Sequence, residues 1–304
     1  MASIVIAETI AAVGINALES AGHTVHDLSG QPRDALVAAL KEADALIVRS
    51  QVQVDAALMA AGPKLRLIGR AGVGIDNIDA PAAARAGILV VNAPDGNTIA
   101  AAEHTFALLL ALARHIPAGD RSVREGTWPR ATLKGFELRG RRLGIVGLGR
   151  IGRAVAVRAA AFGMQLLGSD PLVSPQDAAR IGVRLVSLDE LLGASDVVTL
   201  HAPAVGAQPL IGAAELAKMQ SSAVLINVAR GSLVDEAALA AALASGGIAG
   251  AAVDVYAAEP PVGSPLLTAP RTVLSPHLGA QTSDAQVAVA REVAERICEF
   301  FRTA

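Results

Sequence analysis

Short apolar runs alternate along the chain with longer, Ala- and Leu-rich amphipathic stretches. The runs in the first third predict five β-strands, at Ser3–Ala7, His23–Asp27, Ala45–Arg49, Leu65–Ile68 and Leu89–Asn92. Amphipathic stretches between them, such as Pro32–Glu42, predict helices. Because the runs are apolar throughout rather than alternating, we expect helices to cover both faces of the sheet.

A second series of apolar runs begins at Arg142, and each run ends in a polar residue or a Gly/Pro turn. The segments read LGIVGLGRIG, MQLLGSD, DVVTLHAP, AVLINVARG, IAGAAVDV and TVLSPHLG. Strands that alternate with helices predict an α/β fold built on doubly wound parallel sheets. In such sheets ligands bind outside the carboxyl ends of the strands, so functional residues are expected directly after each run.

A long helical stretch, Ala100–Arg114, joins the two series and leads into a basic region at about 118–142. This region contains the single tryptophan, Trp128. Two interpretations remain open: a dimerisation arm, or a solvated connector whose Trp covers a core edge. The last stretch, Ser283–Arg302, predicts one amphipathic helix.

Composition limits the classes of protein that fit. The 304 residues suit about two domains. A formal net charge of −2 gives no electrostatic reason to expect nucleic acid or an acidic membrane as a partner. Aromatic residues make up 2% of the chain, which leaves little material for stacking bases.

The sequence also predicts no membrane-spanning helix, secretory signal, disulfide or metal site. The longest apolar run, 106–113, is well short of the roughly 20 residues that a spanning helix needs, and the N-terminus lacks a basic signal region. We therefore expect a cytoplasmic protein. The single cysteine, Cys298, excludes an intramolecular disulfide, and no metal-ligand spacing is present, so no metal is expected.

A Gly-rich turn, Gly147-Leu148-Gly149-Arg150-Ile151-Gly152, lies between a predicted strand and a predicted helix. The first Gly allows a tight turn, the second allows close approach of a pyrophosphate, and the third allows the helix to pack on the strand. The helix N-terminus then stabilises the phosphate charge. This pattern favours dinucleotide binding over an ordinary turn.

Asp170 follows the next strand and lies 18 residues after Gly152, close to the spacing expected for a ribose-binding carboxylate. A carboxylate accepts hydrogen bonds from the ribose hydroxyls and repels a 2′-phosphate. The following residues, 171–174, contain no Arg that would accommodate such a phosphate. The sequence therefore favours NAD over NADP as the cofactor.

Three polar residues follow strands of the second series: Arg230, Glu259 and His277. Each taken alone is ambiguous. Together they suit a hydride transfer, in which the cofactor carries the hydride. His277 would exchange the hydroxyl proton, and Glu259 would orient the imidazole and favour its protonated form. Arg230 would bind a substrate carboxylate through its guanidinium fork.

The sequence resembles the D-isomer-specific 2-hydroxyacid dehydrogenase family. The resembling segments are GLGRIG at 147–152, NVARGSLVDEAAL at 227–239, AGAAVDVYAAEPP at 249–261 and SPHLGA at 275–280. The resemblance implies that Arg230, Glu259 and His277 are the catalytic group and that Asp254 contacts the nicotinamide amide.

The resemblance also implies a domain arrangement. It gives a discontinuous, flavodoxin-like substrate domain at 1–98 and 281–304, and a Rossmann NAD-binding domain at 99–280. It further implies a homodimer built on the nucleotide domain, with 118–142 as its arm. The residues implied in cofactor binding are Gly147, Gly149, Arg150, Ile151, Gly152, Asp170, Ala202, Pro203, Ala229, Asp254, Thr98 and Gly279.

Within the family, several segments are most similar to members that oxidise D-3-phosphoglycerate. They are LIVRS at 46–50, GRAGVGIDNID at 69–79, GILVVNAPDGNT at 87–98 and AAEHTFALLLALARHIP at 101–117. This similarity implies oxidation of D-3-phosphoglycerate to 3-phosphohydroxypyruvate, a step in serine biosynthesis. The substrate-binding residues that it implies are Arg49, Ser50, Val73, Gly74 and Asn97, together with Arg230 and His277.

Two alternatives remain open at this point. One is a dehydrogenase or reductase of glyoxylate, hydroxypyruvate or another D-2-hydroxy acid. The other, from a different class, is an NAD(H)-sensing, corepressor-like binding protein, which could retain the same three residues.

The sequence departs from the family pattern in three places. Gly168-Ser169 precedes Asp170 where an aromatic is common, and AVGAQPLIG at 204–212 stands where a Thr-containing loop is usual. A loop contact to the cofactor is therefore in doubt. No regulatory domain follows Arg302, so feedback by serine through such a domain is not expected.

Overall fold

The fold is given by a computed structural model that describes residues 1–204 and 206–303. Val205, in the loop 204–212 noted above, and Ala304, at the end of the expected substrate domain, lie outside the described residues. The chain divides into two compact units. One comprises Met1–Thr98 with Ala280–Ala304, and the other comprises Ile99–Gly279.

The first unit contains a five-stranded parallel sheet in the order β2-β1-β3-β4-β5. Its strands are β1 (Ser3–Ile6), β2 (Thr24–Asp27), β3 (Ala45–Val48), β4 (Leu67–Arg70) and β5 (Leu89–Asn92). This is the flavodoxin-like order, as predicted. The strand expected at Leu65–Ile68 is shifted toward its carboxyl end, because the backbone of Gly69 and Arg70 continues to pair with β3 and β5.

The second unit contains a seven-stranded parallel sheet in the order β12-β11-β10-β9-β6-β7-β8. Its strands are β6 (Arg142–Val146), β7 (Gln165–Ser169), β8 (Arg184–Leu185), β9 (Val197–Leu200), β10 (Val224–Asn227), β11 (Gly250–Val253) and β12 (Thr272–Leu274). The order reverses between β6 and β9, which is the Rossmann arrangement. The predicted α/β fold with two doubly wound sheets is therefore confirmed.

Helices cover the sheets on both faces, as the continuous apolar runs predicted. They are α1 (Ala12–Ser20), α2 (Arg33–Leu40), α3 (Ala56–Ala60), α4 (Ala80–Arg85), α5 (Thr98–Ala113), α6 (Ile116–Arg124), α7 (Arg150–Ala161), α8 (Pro175–Arg180), α9 (Leu188–Ala194), α10 (Ala213–Leu216), α11 (Glu236–Ser245) and α12 (Ser283–Thr303). Short 3₁₀ turns lie at Gly231–Leu233 and Pro265–Leu267.

The C-terminal helix α12 completes the core of the first unit. Val293 and Ile297 are fully buried, and a Cβ added at Gly69 of β4 would lie 2.8 Å from Val293 Cγ2. On the other sheet face, Leu40 and Leu58 are fully buried among residues of α2 to α4. Since β3 runs between two covered faces, all four of its residues are buried.

Three large apolar side chains of the segment 116–142 are exposed, although Leu138 near its end is buried in the core of the second unit. Ile116 and Val123 of α6 are each 58% exposed, and Trp128 is 74% exposed. Trp128 therefore does not cover a core edge in this chain, so that part of the connector interpretation is wrong. Among the described residues, no single helix could cross a membrane; α5 and α6, bent by 60°, meet the length and composition requirements only as a pair.

Candidate functional site

The packing of the Gly-rich turn after β6 requires a glycine at two of its three glycine positions. Gly147 has φ +91°, and a Cβ there would lie 2.7 Å from the amide nitrogen of Ala202. A Cβ on Gly152 would lie 2.0 Å from the carbonyl oxygen of Gly147. A Cβ on Gly149 would meet no described atom within 4 Å, so the turn is open on that side.

Helix α7 starts directly after this open glycine. Gly149 is its N-cap, and no side chain of the described residues caps it. The first N–H groups of a helix have no partner within the helix, and they carry the positive end of its dipole. The turn therefore has the open backbone and the helix N-terminus that a pyrophosphate requires.

Asp170 lies beside this turn at the carboxyl end of β7. Its Oδ2 accepts a hydrogen bond of 2.7 Å from Leu148 N, and its Oδ1 accepts one of 2.8 Å from Leu172 N. The side chain is thus fixed next to the Gly-rich turn while further lone pairs remain for ribose hydroxyls. Together with the glycines, this geometry fits a dinucleotide.

His277 and Glu259 form a direct pair. His277 Nδ1 lies 2.7 Å from Glu259 Oε2, and the two side chains are 50% and 39% exposed. The other oxygen, Oε1, accepts a hydrogen bond of 3.1 Å from Tyr256 N. The backbone thereby fixes the carboxylate, and the carboxylate orients the imidazole so that Nε2 is free for another partner.

The backbone of His277 adopts an uncommon conformation. Its φ is +54°, in the left-handed region that L residues other than Gly rarely adopt. Its N–H donates to the carbonyl oxygen of Asp254 at 2.9 Å. Such strain persists only where the surroundings hold it, and it concentrates at functional sites.

Arg230 follows β10, the neighbour of β11 in the sheet. The buried side chain of Asn227 shapes this turn: its Nδ2 donates to Arg230 O at 2.9 Å, and its Oδ1 accepts from Ala229 N at 3.1 Å. Arg230 Nη1 also donates to Ala229 O at 2.7 Å. The turn needs a glycine next, because a Cβ on Gly231 would lie 1.9 Å from the carbonyl carbon of Tyr256.

Asp254, at the end of β11, is fully buried. Its Oδ1 accepts hydrogen bonds from Ser275 Oγ at 2.5 Å and Leu278 N at 2.8 Å, and its Oδ2 accepts one from Gly279 N at 2.8 Å. His104 Nε2, from α5, lies 3.0 Å from Oδ1. Burial acts to raise the pKa of Asp254, but the hydrogen bonds from His104, Ser275 and Leu278 hold it below its usual value. The predicted contact of Asp254 with the nicotinamide amide stays a prediction.

His201 follows β9 and precedes Ala202 and Pro203, two of the predicted cofactor contacts. Burial lowers the pKa of His201 to about 3, so the ring is neutral at pH 7. Its Nε2 lies 2.9 Å from Thr199 Oγ1. This histidine is therefore a packed, uncharged group.

In the first unit, a carboxylate holds the loop after β3. Glu8 accepts hydrogen bonds from four consecutive backbone N–H groups, those of residues 49–52, at 2.7 to 3.2 Å. Asn77 Nδ2 donates to Arg49 O at 3.1 Å and to Val52 O at 2.7 Å. Side chains therefore hold both the backbone N–H groups and the carbonyl oxygens of the loop that carries Arg49 and Ser50.

The other predicted substrate residues also follow strands of this sheet. Val73 and Gly74 come after β4, and the carbonyl oxygen of Val73 accepts from Asn92 Nδ2 at 2.6 Å. Asn97 and Thr98 come after β5. The buried atoms Asn97 Oδ1 and Thr98 Oγ1 have no hydrogen-bond partner among the described residues. Buried polar atoms without partners are rare, and here they fit groups that await a ligand.

In each unit, residues that support the loops described above were not predicted from the sequence: Glu8, Asn77 and Asn92 in the first, and His104, Tyr256 and Ser275 in the second. Glu8 follows β1 and Ser275 follows β12, so the rule of strand carboxyl ends could have found both. His104 could have been noticed as an imidazole within an apolar helix. No group of three or more His, Cys, Asp or Glu side chains among the described residues is arranged to hold a metal ion.

Comparison with known proteins places the chain in a family. Residues 106–279 match the family model described as D-isomer specific 2-hydroxyacid dehydrogenase, NAD binding domain. This match covers more than half of the chain, which therefore belongs to the D-isomer specific 2-hydroxyacid dehydrogenase family. The predicted cofactor, NAD, is confirmed by the same match.

Relatives and solved structures agree with this placement. The chain is 48% identical over 271 residues to D-3-phosphoglycerate dehydrogenase of Mycobacterium tuberculosis, covering 89% of this chain and 51% of the relative. It is 47% identical over 296 residues to D-3-phosphoglycerate dehydrogenase of Archaeoglobus fulgidus, covering 97% and 56%. It thus spans about half the length of these curated relatives. A glyoxylate reductase structure from Paecilomyes thermophila superposes with a TM-score of 0.87 at 33% identity, covering 97% of this chain and 94% of that one.

Proposed function

We propose that this chain is an NAD-dependent dehydrogenase that oxidises D-3-phosphoglycerate to 3-phosphohydroxypyruvate. The observation that carries the proposal is the pair of His277 Nδ1 and Glu259 Oε2 at 2.7 Å, which leaves Nε2 of the imidazole for a substrate hydroxyl. The substrate is supported by the curated relatives, which are named D-3-phosphoglycerate dehydrogenase.

His277 is the general base of the oxidation. With Nδ1–H donating to Glu259, the neutral ring presents the lone pair of Nε2, which takes the hydroxyl proton as the carbonyl forms. Glu259 then stabilises the imidazolium, because a charged donor makes a stronger hydrogen bond to a carboxylate than a neutral one. In the reverse direction, the same nitrogen returns the proton.

Arg230 binds the carboxylate next to the reacting carbon. Its guanidinium suits a planar anion, and Asn227 fixes the backbone that carries it. The phosphoglycerate also needs groups in the first unit, for which we propose Arg49, Ser50, Val73, Gly74 and Asn97.

The dinucleotide is held by the turn after β6 and by Asp170. NAD, when bound, accepts the hydride that leaves the substrate carbon. Other residues proposed to hold it are Arg150, Ile151, Ala202, Pro203, Ala229, Asp254, Thr98 and Gly279. In this assignment Ile99–Gly279 is the NAD-binding domain, and the unit containing Met1–Thr98 is the substrate-binding domain.

A second candidate function is the reduction of an unphosphorylated 2-oxo acid. It is favoured by the likeness to a glyoxylate reductase over nearly the whole chain. The two candidates are separated by the loss of NADH absorbance with 3-phosphohydroxypyruvate, hydroxypyruvate and glyoxylate as substrates. We expect the phosphorylated acid to give the highest kcat/KM. A value no better than that for glyoxylate would overturn the proposed substrate.

The role of His277 is tested by His277→Asn. General acid–base catalysis contributes about 10²- to 10⁴-fold, so we expect kcat to fall at least 100-fold at pH 7. NADH binding, followed by fluorescence, should not change. The matched control is His26→Asn, at an exposed position in β2, which should keep full turnover. Turnover retained in His277→Asn would refute the assignment, and NADH binding without turnover in the unmodified chain would favour a sensing protein.

The homodimer and the cytoplasmic location remain predictions. The exposed side chains of Val123 and Trp128 support a partner surface on the segment 118–142, and the exposed Ile116 lies just before it.

A further inference from the structure

A histidine outside the proposed catalytic group lies against its supporting structure. His104 belongs to α5, where most of the surrounding residues are buried and apolar. Its side chain is 17% exposed, and its Nε2 lies 3.0 Å from Asp254 Oδ1 and 3.2 Å from Ser275 Oγ. Because an ionised carboxylate can only accept hydrogen bonds, His104 Nε2 carries a hydrogen and donates a hydrogen bond to Asp254.

Asp254 in turn holds the segment that carries His277. Its two carboxylate oxygens accept the N–H groups of Leu278 and Gly279, the next two residues along the chain. Its backbone carbonyl accepts the N–H of His277 itself. Since His277 is in a left-handed conformation, its geometry depends on these hydrogen bonds on either side.

A fully buried carboxylate is stable only when its oxygens are satisfied. Four donors of the described residues satisfy Asp254, and three of them, Ser275 Oγ, Leu278 N and Gly279 N, belong to segment 275–279, which carries His277. His104 differs from these three donors, because it belongs to a helix and is fixed independently of the segment.

We infer that His104 is a positioning residue for the proposed general base: it anchors the Asp254 carboxylate, and through Asp254 it fixes segment 275–279 and the imidazole of His277. This role rests on the proposed function. The roles predicted for Asp254 and His277 do not involve His104. In the inferred arrangement, His104 holds Asp254, and Asp254 holds the segment that carries His277.

The charge around Asp254 gives the inference a pH-dependent consequence. The titratable groups that face its carboxylate are His104 from α5 and the Tyr256 hydroxyl, whose own pKa is raised by burial and by Asp254. Loss of His104 removes a hydrogen bond and an attraction that lower the pKa of Asp254, while burial remains. The pKa of Asp254 then rises, and its protonated form at acid pH no longer accepts from Leu278 and Gly279 together.

The test compares His104→Leu, which has no donor, with His104→Gln, whose amide can donate to the carboxylate. The first measurement is hydrogen exchange of the Leu278 and Gly279 amides at pH 5.5 to 7.5. We expect His104→Leu to speed their exchange at least tenfold, with the largest effect at acid pH, while the amides of β10 are unchanged. His104→Gln should restore most of the protection, and His26→Gln in β2 serves as the matched control.

The second measurement is kcat/KM for 2-oxo acid reduction against pH. His104→Leu should lower it at least tenfold and steepen its loss at acid pH, and His104→Gln should recover most of it. Exchange of Leu278 and Gly279 within twofold of the unmodified chain in His104→Leu would overturn the inference, as would equal losses in the Leu and Gln variants. Failure of the proposed function looks different: no turnover with any 2-oxo acid before mutation, whatever the exchange results.

Discussion

The packed histidine at the end of β9 predicts how the stability of the second unit depends on pH. Burial lowers the pKa of His201 to about 3 from the ordinary value of 6.5. The unfolded chain therefore binds a proton on this ring as the pH falls below 6.5, while the folded chain does not until about pH 3. Since the unfolded state then binds more protons, stability contributed by the neutral ring is present at pH 7 and is lost as the pH falls.

The size of the effect follows from the pKa difference. Between pH 7 and pH 4.5 the unfolded ring becomes almost fully protonated, which costs the folded state about 2.5 kcal/mol at about 1.4 kcal/mol for each pKa unit. His201→Gln removes the titrating group and keeps a polar side chain beside Thr199. Between pH 7 and pH 4.5, the free energy of unfolding of the unmodified chain should therefore fall by about 2.5 kcal/mol more than that of His201→Gln.

Hydrogen exchange of the β9 amides, corrected for intrinsic exchange rates, measures this difference within the second unit. His26→Gln, at an exposed position of β2, is the control and should leave the pH dependence unchanged. The imidazole of His201 can also be followed directly by NMR. A ring that titrates near 6.5, or a variant with the same pH dependence as the unmodified chain, would refute the reasoning.

Three further predictions concern the proposed site. Gly152→Ala places a Cβ 2.0 Å from Gly147 O, so the turn must shift, and we expect the Kd for NADH, measured by fluorescence, to rise at least tenfold. Glu259→Gln weakens the charge-assisted hydrogen bond to His277, so kcat should fall about tenfold or more at unchanged Kd for NADH. Asp170→Ala removes the carboxylate that disfavours a 2′-phosphate, so the ratio of kcat/KM for NADH over NADPH should fall at least tenfold.

Each of these variants has a matched control elsewhere in the chain. For Gly193→Ala in α9, the atom nearest to the new Cβ is Lys218 O at 3.8 Å, an ordinary contact, so the Kd for NADH should not change. Glu19→Gln and Asp34→Ala alter exposed acidic residues of the first unit and should leave kcat and cofactor preference unchanged. NADH binding unaffected by Gly152→Ala would contradict the role of this glycine. Full turnover in Glu259→Gln, or unchanged cofactor preference in Asp170→Ala, would contradict the other two assignments.

The sequence predicted the sheets because continuous apolar runs and Gly/Pro turns mark buried parallel strands directly. It was less successful with short elements. Strand β8 has two residues, and α6 runs from Ile116 into the basic region with the lone Trp, for which no helix was predicted. A run of two residues carries no periodicity, so tertiary contacts decide the conformation of β8. Helix α6, by contrast, is amphipathic, but charged residues dominate the composition of the region that it enters.

The predicted site residues and the unpredicted ones differ in what they contact. His277 and Glu259 were predictable because their side chains serve chemistry that requires those residue types. Glu8 was not predicted, and Asp254 was predicted only as a nicotinamide contact. Both hold loops by accepting backbone N–H groups, and a backbone donor is the same at nearly every residue, so the sequence of the loop gives no indication of this role.

The same physical requirement explains both carboxylates and suggests where such residues should be sought. A loop that leaves a parallel strand carries N–H groups that no neighbouring strand can pair, and an acid at the end of an adjacent strand is placed to accept them. Glu8 follows β1, next to β3, and holds the loop after β3; Asp254 follows β11, next to β12, and holds the loop after β12. A polar residue at the end of a parallel strand can therefore serve either of two roles: it can act on a ligand, or it can hold the loop that follows the neighbouring strand.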